Sequence, residues 1–263
     1  MKLAIVWLSV LMLAVPQFAF ASPYSNASHD WYFKRSKNHQ PATTEPEFAE
    51  MLQKYGGVFQ GDTDRKIVYL TFDNGYEQGY TGKFLDVLKK KDVPAAFFVT
   101  GHYLKTEPEL VKRMVKEGHI VGNHSWHHPD LTNVSNERLK KELNKVKEKY
   151  TEITGETKME YLRPPRGVFS ERTLALSKKL GYTNVFWSLA FKDWETNNQK
   201  GWKYAYNSVM KQIHPGAVIL MHTVSKDNAD ALAKIIDEAR KRGYTFKSLD
   251  YLMAHRAVPE FVW

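Results

Sequence analysis

From about Arg65 onward, short apolar, β-branched runs alternate with longer stretches whose apolar residues recur every three or four positions. The runs predict strands over 66–72, 95–100, 119–123, 160–163, 183–188, 217–222 and 244–246. Between them, Leu139, Leu143, Val146 and Tyr150 recur at helical spacing, as do Tyr206, Val209, Met210 and Ile213, and Leu232, Ile235, Ile236 and Ala239. Ser135 and Ser170 sit where helix starts are expected, and Gly118, Gly181 and Gly243 fall just past helix ends. Each of these glycines is followed within a residue or two by the next strand. Repeated βα units with short connections imply the α/β class and a parallel sheet, and seven strands suffice to curl it toward a barrel.

The flanking segments read differently. Lys2 followed by an apolar stretch to Val15, then Ala19-Phe20-Ala21, predicts a signal peptide over 1–21, with a retained membrane anchor as the alternative. Residues 22–60 carry Pro41, Pro46, Gly56 and Gly57 and predict an irregular arm with at most one short helix. Within it, Trp31-Tyr32-Phe33 is expected to pack on the main domain, which spans 61–263. No later apolar run is long enough to span a bilayer, so no lasting membrane insertion is expected once the leader is cleaved.

A chain of 263 residues fits one large domain. The absence of cysteine excludes disulfides and thiolate metal sites. The net charge of +9 lies largely on lysines scattered over helix faces, such as Lys140, Lys141, Lys145, Lys147 and Lys149. A solvated face is the ordinary reading of that pattern, and no nucleic-acid module accompanies it, so nucleic acid is set aside as a partner.

Candidate chemistry collects at the carboxyl ends of the predicted strands, where parallel α/β folds place their sites. Asp73, Asn74, His124, Arg163 and His222 fall there, with Asp193 in the loop after the fifth strand. His124 and His128, at i and i+4, would face the same way on a helical turn and chelate one ion, with His127 as the rival. Glutamate does not follow His124, which excludes the His-Glu-x-x-His pattern of zinc peptidases. Two oxygen-bearing side chains beside two imidazoles suit metal-assisted hydrolysis. Phe97, Phe98, Phe186 and Trp187 read as core, whereas Tyr76, Trp126 and Trp194 adjoin the motifs and could line a groove.

Five motifs taken in order resemble the polysaccharide deacetylases of the NodB-homology type, carbohydrate esterase family 4. They are Thr71-Phe72-Asp73-Asn74, His124-Ser125-x-x-His128, Arg163-Pro164-Pro165-Arg166-Gly167, Asp193-Trp194 and Leu220-Met221-His222. The resemblance implies a distorted (β/α)7 barrel and a catalytic set of Asp73, His222, Arg163 and Asp193. In it Asp73 is the general base, oriented by Arg163, and His222 protonates the leaving amine, aimed by Asp193. It further implies a divalent metal on Asn74, His124 and His128, with zinc the first expectation and weak binding or another divalent ion the alternatives. The backbone N–H of Arg166 would help hold the oxyanion, and Trp194, of the Asp-Trp motif, is the candidate sugar contact, with packing as the alternative.

Two departures sharpen the expectation. Asn74 stands where the family carries Asp, which removes one charge from the ligand set. Arg166 replaces the usual Tyr and suggests an anionic group on the substrate, such as the lactyl carboxylate of N-acetylmuramic acid. The alternative is an Arg166 paired with a neighbouring carboxylate such as Asp193 or Glu195. Together the departures resemble the delta-lactam-biosynthetic de-N-acetylases. That implies action on peptidoglycan glycan strands in the cell wall or spore cortex, on the way to muramic lactam, by a chain the leader marks as exported and that is expected to be a monomer. The rivals are a glucosamine-type deacetylase and a non-catalytic wall-binding protein.

Overall fold

A computed structural model of the chain describes residues 23–256, so the expected signal peptide lies outside the described residues. In chain order the strands and α-helices are β1 (His29–Asp30), β2 (Phe33–Lys34), β3 (Thr43–Thr44), α1 (Pro46–Tyr55), β4 (Ile67–Asn74), α2 (Thr81–Lys91), β5 (Ala95–Val99), α3 (Gly101–Thr106) and α4 (Pro108–Lys116). There follow β6 (Ile120–Asn123), α5 (Asn136–Thr154), β7 (Tyr161–Leu162), β8 (Val168–Phe169), α6 (Glu171–Lys179), β9 (Thr183–Asn184), α7 (Trp202–Gln212), β10 (Val218–His222), α8 (Lys226–Lys241), β11 (Thr245–Phe246) and α9 (Leu249–Ala254). Among the described residues no helix is long and apolar enough to cross a membrane.

The central sheet runs β10-β4-β5-β6-β7-β9, with β11 joined to the start of β4, and every pairing in it is parallel. Each residue of β4 is buried, as a strand covered on both faces requires. Helices α2, α4, α5, α7 and α8 close one face through Leu85, Leu88, Met114, Leu143, Val146, Val209, Ile235 and Ile236, all buried. Ser135 and Ser170 cap α5 and α6 by accepting from the backbone N–H three residues on, as their positions predicted.

The strand expected over 183–188 pairs with β7 only through Thr183 and Asn184, because the chain then changes partners. Val185 bridges Val58, and Leu189 reaches Ile219 of β10 in an isolated bridge. The two ends of the sheet therefore meet through single bridges rather than a full ladder. The result is a curled half-barrel.

The arm is tied into this body. β1 pairs antiparallel with β8, and Trp31 stacks near Phe186 (ring centroids 4.6 Å apart) while its Nε1 donates to the Trp187 carbonyl at 2.9 Å. Trp31 is thus buried as expected, whereas Tyr32 is exposed. Arg172 of α6 clamps arm to body. It donates to Asn26 Oδ1 and to the carbonyls of Leu131, Thr132 and Val134 at 2.8–3.1 Å. Carbonyls and amide oxygens rather than a carboxylate compensate this buried guanidinium.

Candidate active site

The carboxyl ends of β4, β6, β7 and β10 surround one cleft of about 1050 Å3, walled by Asp73, Tyr76, His124, Trp126, His128, Arg166, Trp187, Trp194 and His222 among others. Strand register accounts for its central pair. Asp73 on β4 and His222 on β10 are direct partners across adjacent parallel strands, so both side chains leave the sheet at the same level.

Asp73 is 7% exposed and Arg163 fully buried. Arg163 donates from Nη1 to Asp73 Oδ1 at 2.7 Å, from Nη2 to Thr71 Oγ1 at 2.8 Å and from Nε to the Val185 carbonyl at 3.1 Å. Its guanidinium lies 4.2 Å from the centroid of the Phe98 ring. Burial would raise the Asp73 pKa, but Arg163, with His124 and His222, outweighs it and holds the carboxyl below its ordinary value. The carboxylate is kept ionised.

The two imidazoles converge by a route the spacing did not foresee. Residues 124–128 form a loop, not a helical turn, with Ser125 (φ 62°) and His128 (φ 57°) in the left-handed region. Such conformations in non-glycine residues cost about 1–3 kcal/mol each and persist where the surroundings over-determine them. Here Asn123 Oδ1 accepts from the Ser125 N–H at 2.9 Å, and Asn123 is itself fixed by Leu143 and Tyr182. His124 Nδ1 donates to the Arg163 carbonyl at 2.8 Å, which leaves the lone pair of the neutral ring on Nε2. That atom lies 3.2 Å from His128 Nε2 and 3.4 Å from Asp73 Oδ2.

Both imidazoles are neutral near pH 7. Burial lowers His124 despite Asp73, and burial together with His124 brings His128 down to about 4. The rival His127 is engaged elsewhere: its backbone N–H and Nδ1 both bond the buried Glu142 at 2.7 Å, and Arg138 shares that carboxylate.

Two imidazole nitrogens on one tetrahedral ion stand about 3.3 Å apart, so the His124–His128 spacing fits a divalent metal. Asn74 follows Asp73 at the end of β4, fully buried and not among the cleft-lining residues; its amide N–H donates to Thr223 Oγ1 at 2.7 Å, and its Oδ1 has no partner. An orphaned buried carbonyl oxygen has the acceptor capacity a third ligand needs. Among the described residues, no three His, Cys, Asp or Glu side chains form a metal-holding group, so such a site needs this amide or solvent.

Asp193 Oδ1 accepts from His222 Nδ1 at 2.7 Å, while its Oδ2 accepts from the His222 backbone N–H and from Asn228 Nδ2. Burial would lower the His222 pKa, but the charge and hydrogen bond of Asp193 raise it above the ordinary value. Trp194 projects beside this ring (centroids 5.7 Å apart) and is 50% exposed. Asp193 is therefore not the partner of Arg166. The carboxylate nearest Arg166 is Asp130, at 3.9 Å, from the loop before α5. Arg166 itself is left-handed (φ 58°) and exposed, and Trp187, expected in the core, is half-buried on the cleft wall.

A family model for polysaccharide deacetylases matches residues 60–185. The peptidoglycan-N-acetylmuramic acid deacetylase PdaA of Bacillus subtilis (strain 168) is 55% identical over 235 residues, 89% of each chain. The chain belongs to the polysaccharide deacetylase family. Its fold matches the solved structure of B. subtilis PdaA, a family 4 carbohydrate esterase, with a TM-score of 0.86 at 56% identity over 88% of this chain and 98% of that one. A family 4 carbohydrate esterase from Bacillus anthracis matches with a TM-score of 0.76 at 53% identity, over 89% of this chain and 100% of that chain. The curled parallel half-barrel is the fold of these deacetylases, hydrolases that act on an amide bond.

Proposed function

We propose that this chain removes the acetyl group from N-acetylmuramic acid in peptidoglycan glycan strands, outside the cytoplasm. The observation that carries the reading is the pairing, on adjacent strands of one cleft, of Asp73, whose carboxyl Arg163 holds below its ordinary value, with His222, whose imidazole Asp193 raises above its ordinary value. Opposed protonation states in neighbouring groups are the mark of acid–base assignment. A wall-binding protein without activity has no use for them.

In this reading the Asp73 carboxylate accepts the proton of the attacking water as the C–O bond forms. Arg163 orients that carboxylate. His222 gives its proton to the sugar nitrogen as the C–N bond breaks, so acetate and a free amine leave, and Asp193 keeps the imidazolium aimed. The Arg166 backbone N–H serves as a donor to the oxyanion, and Trp194 contacts the sugar. A divalent ion, zinc by the nature of the donors, would be held by His124, His128 and the Asn74 amide oxygen, and would supply Lewis-acid polarisation of the carbonyl. The neutral amide makes that ion more weakly held than a carboxylate would.

The Arg166 side chain favours a muramic substrate, since a guanidinium at the cleft mouth suits a carboxylate that glucosamine lacks. The PdaA relative, a peptidoglycan-N-acetylmuramic acid deacetylase, points the same way. The test is acetate release, with mass analysis of the digested glycan, on muramic-containing and glucosamine-only strands. Loss of ~42 mass units on muramic residues is expected, and Arg166→Ala should lower that activity about tenfold or more while sparing any glucosamine activity. Equal loss on both substrates would remove the carboxylate-recognition reading.

A further inference from the structure

Lys105 is a cleft cation that the chemistry above leaves unused. It is exposed in the last turn of α3 and shares the cleft wall with His102 and Trp126. Its Nζ lies 4.9 Å from the centroid of the Trp126 ring, with Lys145 Nζ 5.6 Å from the same ring. The indole is locked in place: a Cβ at Gly101 would fall 2.2 Å from it, so the ring lies against the start of α3 only because glycine is there. Among the described residues no carboxylate forms an ion pair with Lys105, whereas Arg166 has Asp130 at 3.9 Å. The one carboxylate on the described cleft walls, Asp73, is taken up by Arg163.

Topology sets where these cations stand. Lys105 follows β5, the His124–His128 loop follows β6, and Arg166 follows β7, and these strands are consecutive in the sheet. A glycan lying across the carboxyl edge would meet Arg166, the imidazole pair and Lys105 in that order. The cleft, at about 1050 Å3, lies at the upper limit of pockets that enclose one drug-sized ligand, so it has room beyond the reacting sugar.

We infer that Lys105, seated on the face of Trp126, forms a subsite for a second carboxylate of the strand, the lactyl group of a muramic residue other than the one being deacetylated. This rests on the muramic reading above. Glycan strands alternate glucosamine and muramic units, so a second lactyl group recurs at a fixed distance from the first. An ammonium on an indole face keeps its charge while losing part of its hydration, and as a point charge it tolerates the variable approach of a flexible polymer.

The test compares kcat/KM for acetate release from strands bearing several muramic residues, prepared both peptide-free and with peptide stems, with that from a peptide-free oligosaccharide bearing one. The parent protein should favour the longer strand. Lys105→Gln should reduce the long-to-short ratio about threefold to fivefold, the scale of one exposed ion pair, and Arg166→Gln should lower both rates and keep the ratio. A parent without length preference, or an unchanged ratio in Lys105→Gln, overturns the subsite. A fall confined to strands that still carry peptide stems would overturn the lactyl assignment and give Lys105 to a stem carboxylate. If the parent acts on glucosamine polymers and leaves muramic strands untouched, the substrate reading itself fails, a result separable from an unchanged ratio.

Discussion

On the floor of the cleft, Thr71, Asp73, His124 and Arg163 are each at most 7% exposed, and every one is held by hydrogen bonds from elements remote in sequence. At the rim, Trp194 is 50% and Tyr76 44% exposed, and Arg166 touches its nearest carboxylate at only 3.9 Å. The floor is a closed network in which removing one member strands another. The rim is a set of side chains whose surroundings leave them free to meet a ligand. Substitutions on the floor therefore cost the fold, whereas rim residues can change with little cost to it.

The sharpest way to break that contrast is Asp73→Asn. The substitution keeps the shape and removes the charge, so Arg163 is left buried without a counter-ion. Activity should fall about 10²–10⁴-fold, the range for a lost general base. Stability should fall by about 3–5 kcal/mol, the cost of breaking a buried pair from one side. Acetate release and urea unfolding measure the two. A variant that is inactive yet as stable as the parent would show that the floor is not the closed network described.

Asp193→Asn probes the point where floor and rim meet. Asp193 raises the His222 pKa against the effect of burial, so His222 stays protonated to higher pH than an ordinary histidine. Without that charge, burial and Arg163 are opposed only by Asp73, and the pKa falls. The alkaline limb of the kcat profile should move about one unit or more toward acid. The sign for stability follows from the same shift. The His222–Asp193 contribution is complete below the unfolded value near pH 6.5 and fades as pH rises through the raised folded value. The variant should lose that dependence. An unmoved alkaline limb would take the role of acid away from His222.

The same contrast explains what could be read from residue order. The seven strands and the residues at their ends were legible because a buried parallel strand needs a continuous apolar run, and Ile67–Phe72 or Val218–Met221 offers little else. The helix ends were legible because Ser135, Ser170 and the glycines act locally. The grip of Glu142 on His127 spans 15 residues and that of Asn228 on Asp193 spans 35, and neither pair has a local signature. The helical-turn expectation for His124 and His128 failed because i and i+4 spacing is silent about Ser125 and His128 adopting positive φ; at Ser125 the backbone N–H is held by Asn123, itself fixed by Leu143 and Tyr182. Asn74 was legible as a residue type, but not its tether to Thr223, 149 positions away.

Trp194→Ala should give the smallest effect and sharpen the rim half of the comparison. The indole is half exposed, and its ring meets that of His222 edge-on at 5.7 Å, whereas the imidazole is aimed by Asp193 rather than by the indole. Truncation therefore removes contact area for the sugar and leaves the acid in place. Since such contact is made equally by substrate and transition state, KM should rise about threefold to tenfold with kcat nearly unchanged. The urea midpoint should move little, because an exposed side chain away from caps and buried pairs contributes within about 0.5 kcal/mol. A fall in kcat with KM unchanged would instead mean that the indole steers the imidazolium, and Trp194 would then belong to the floor.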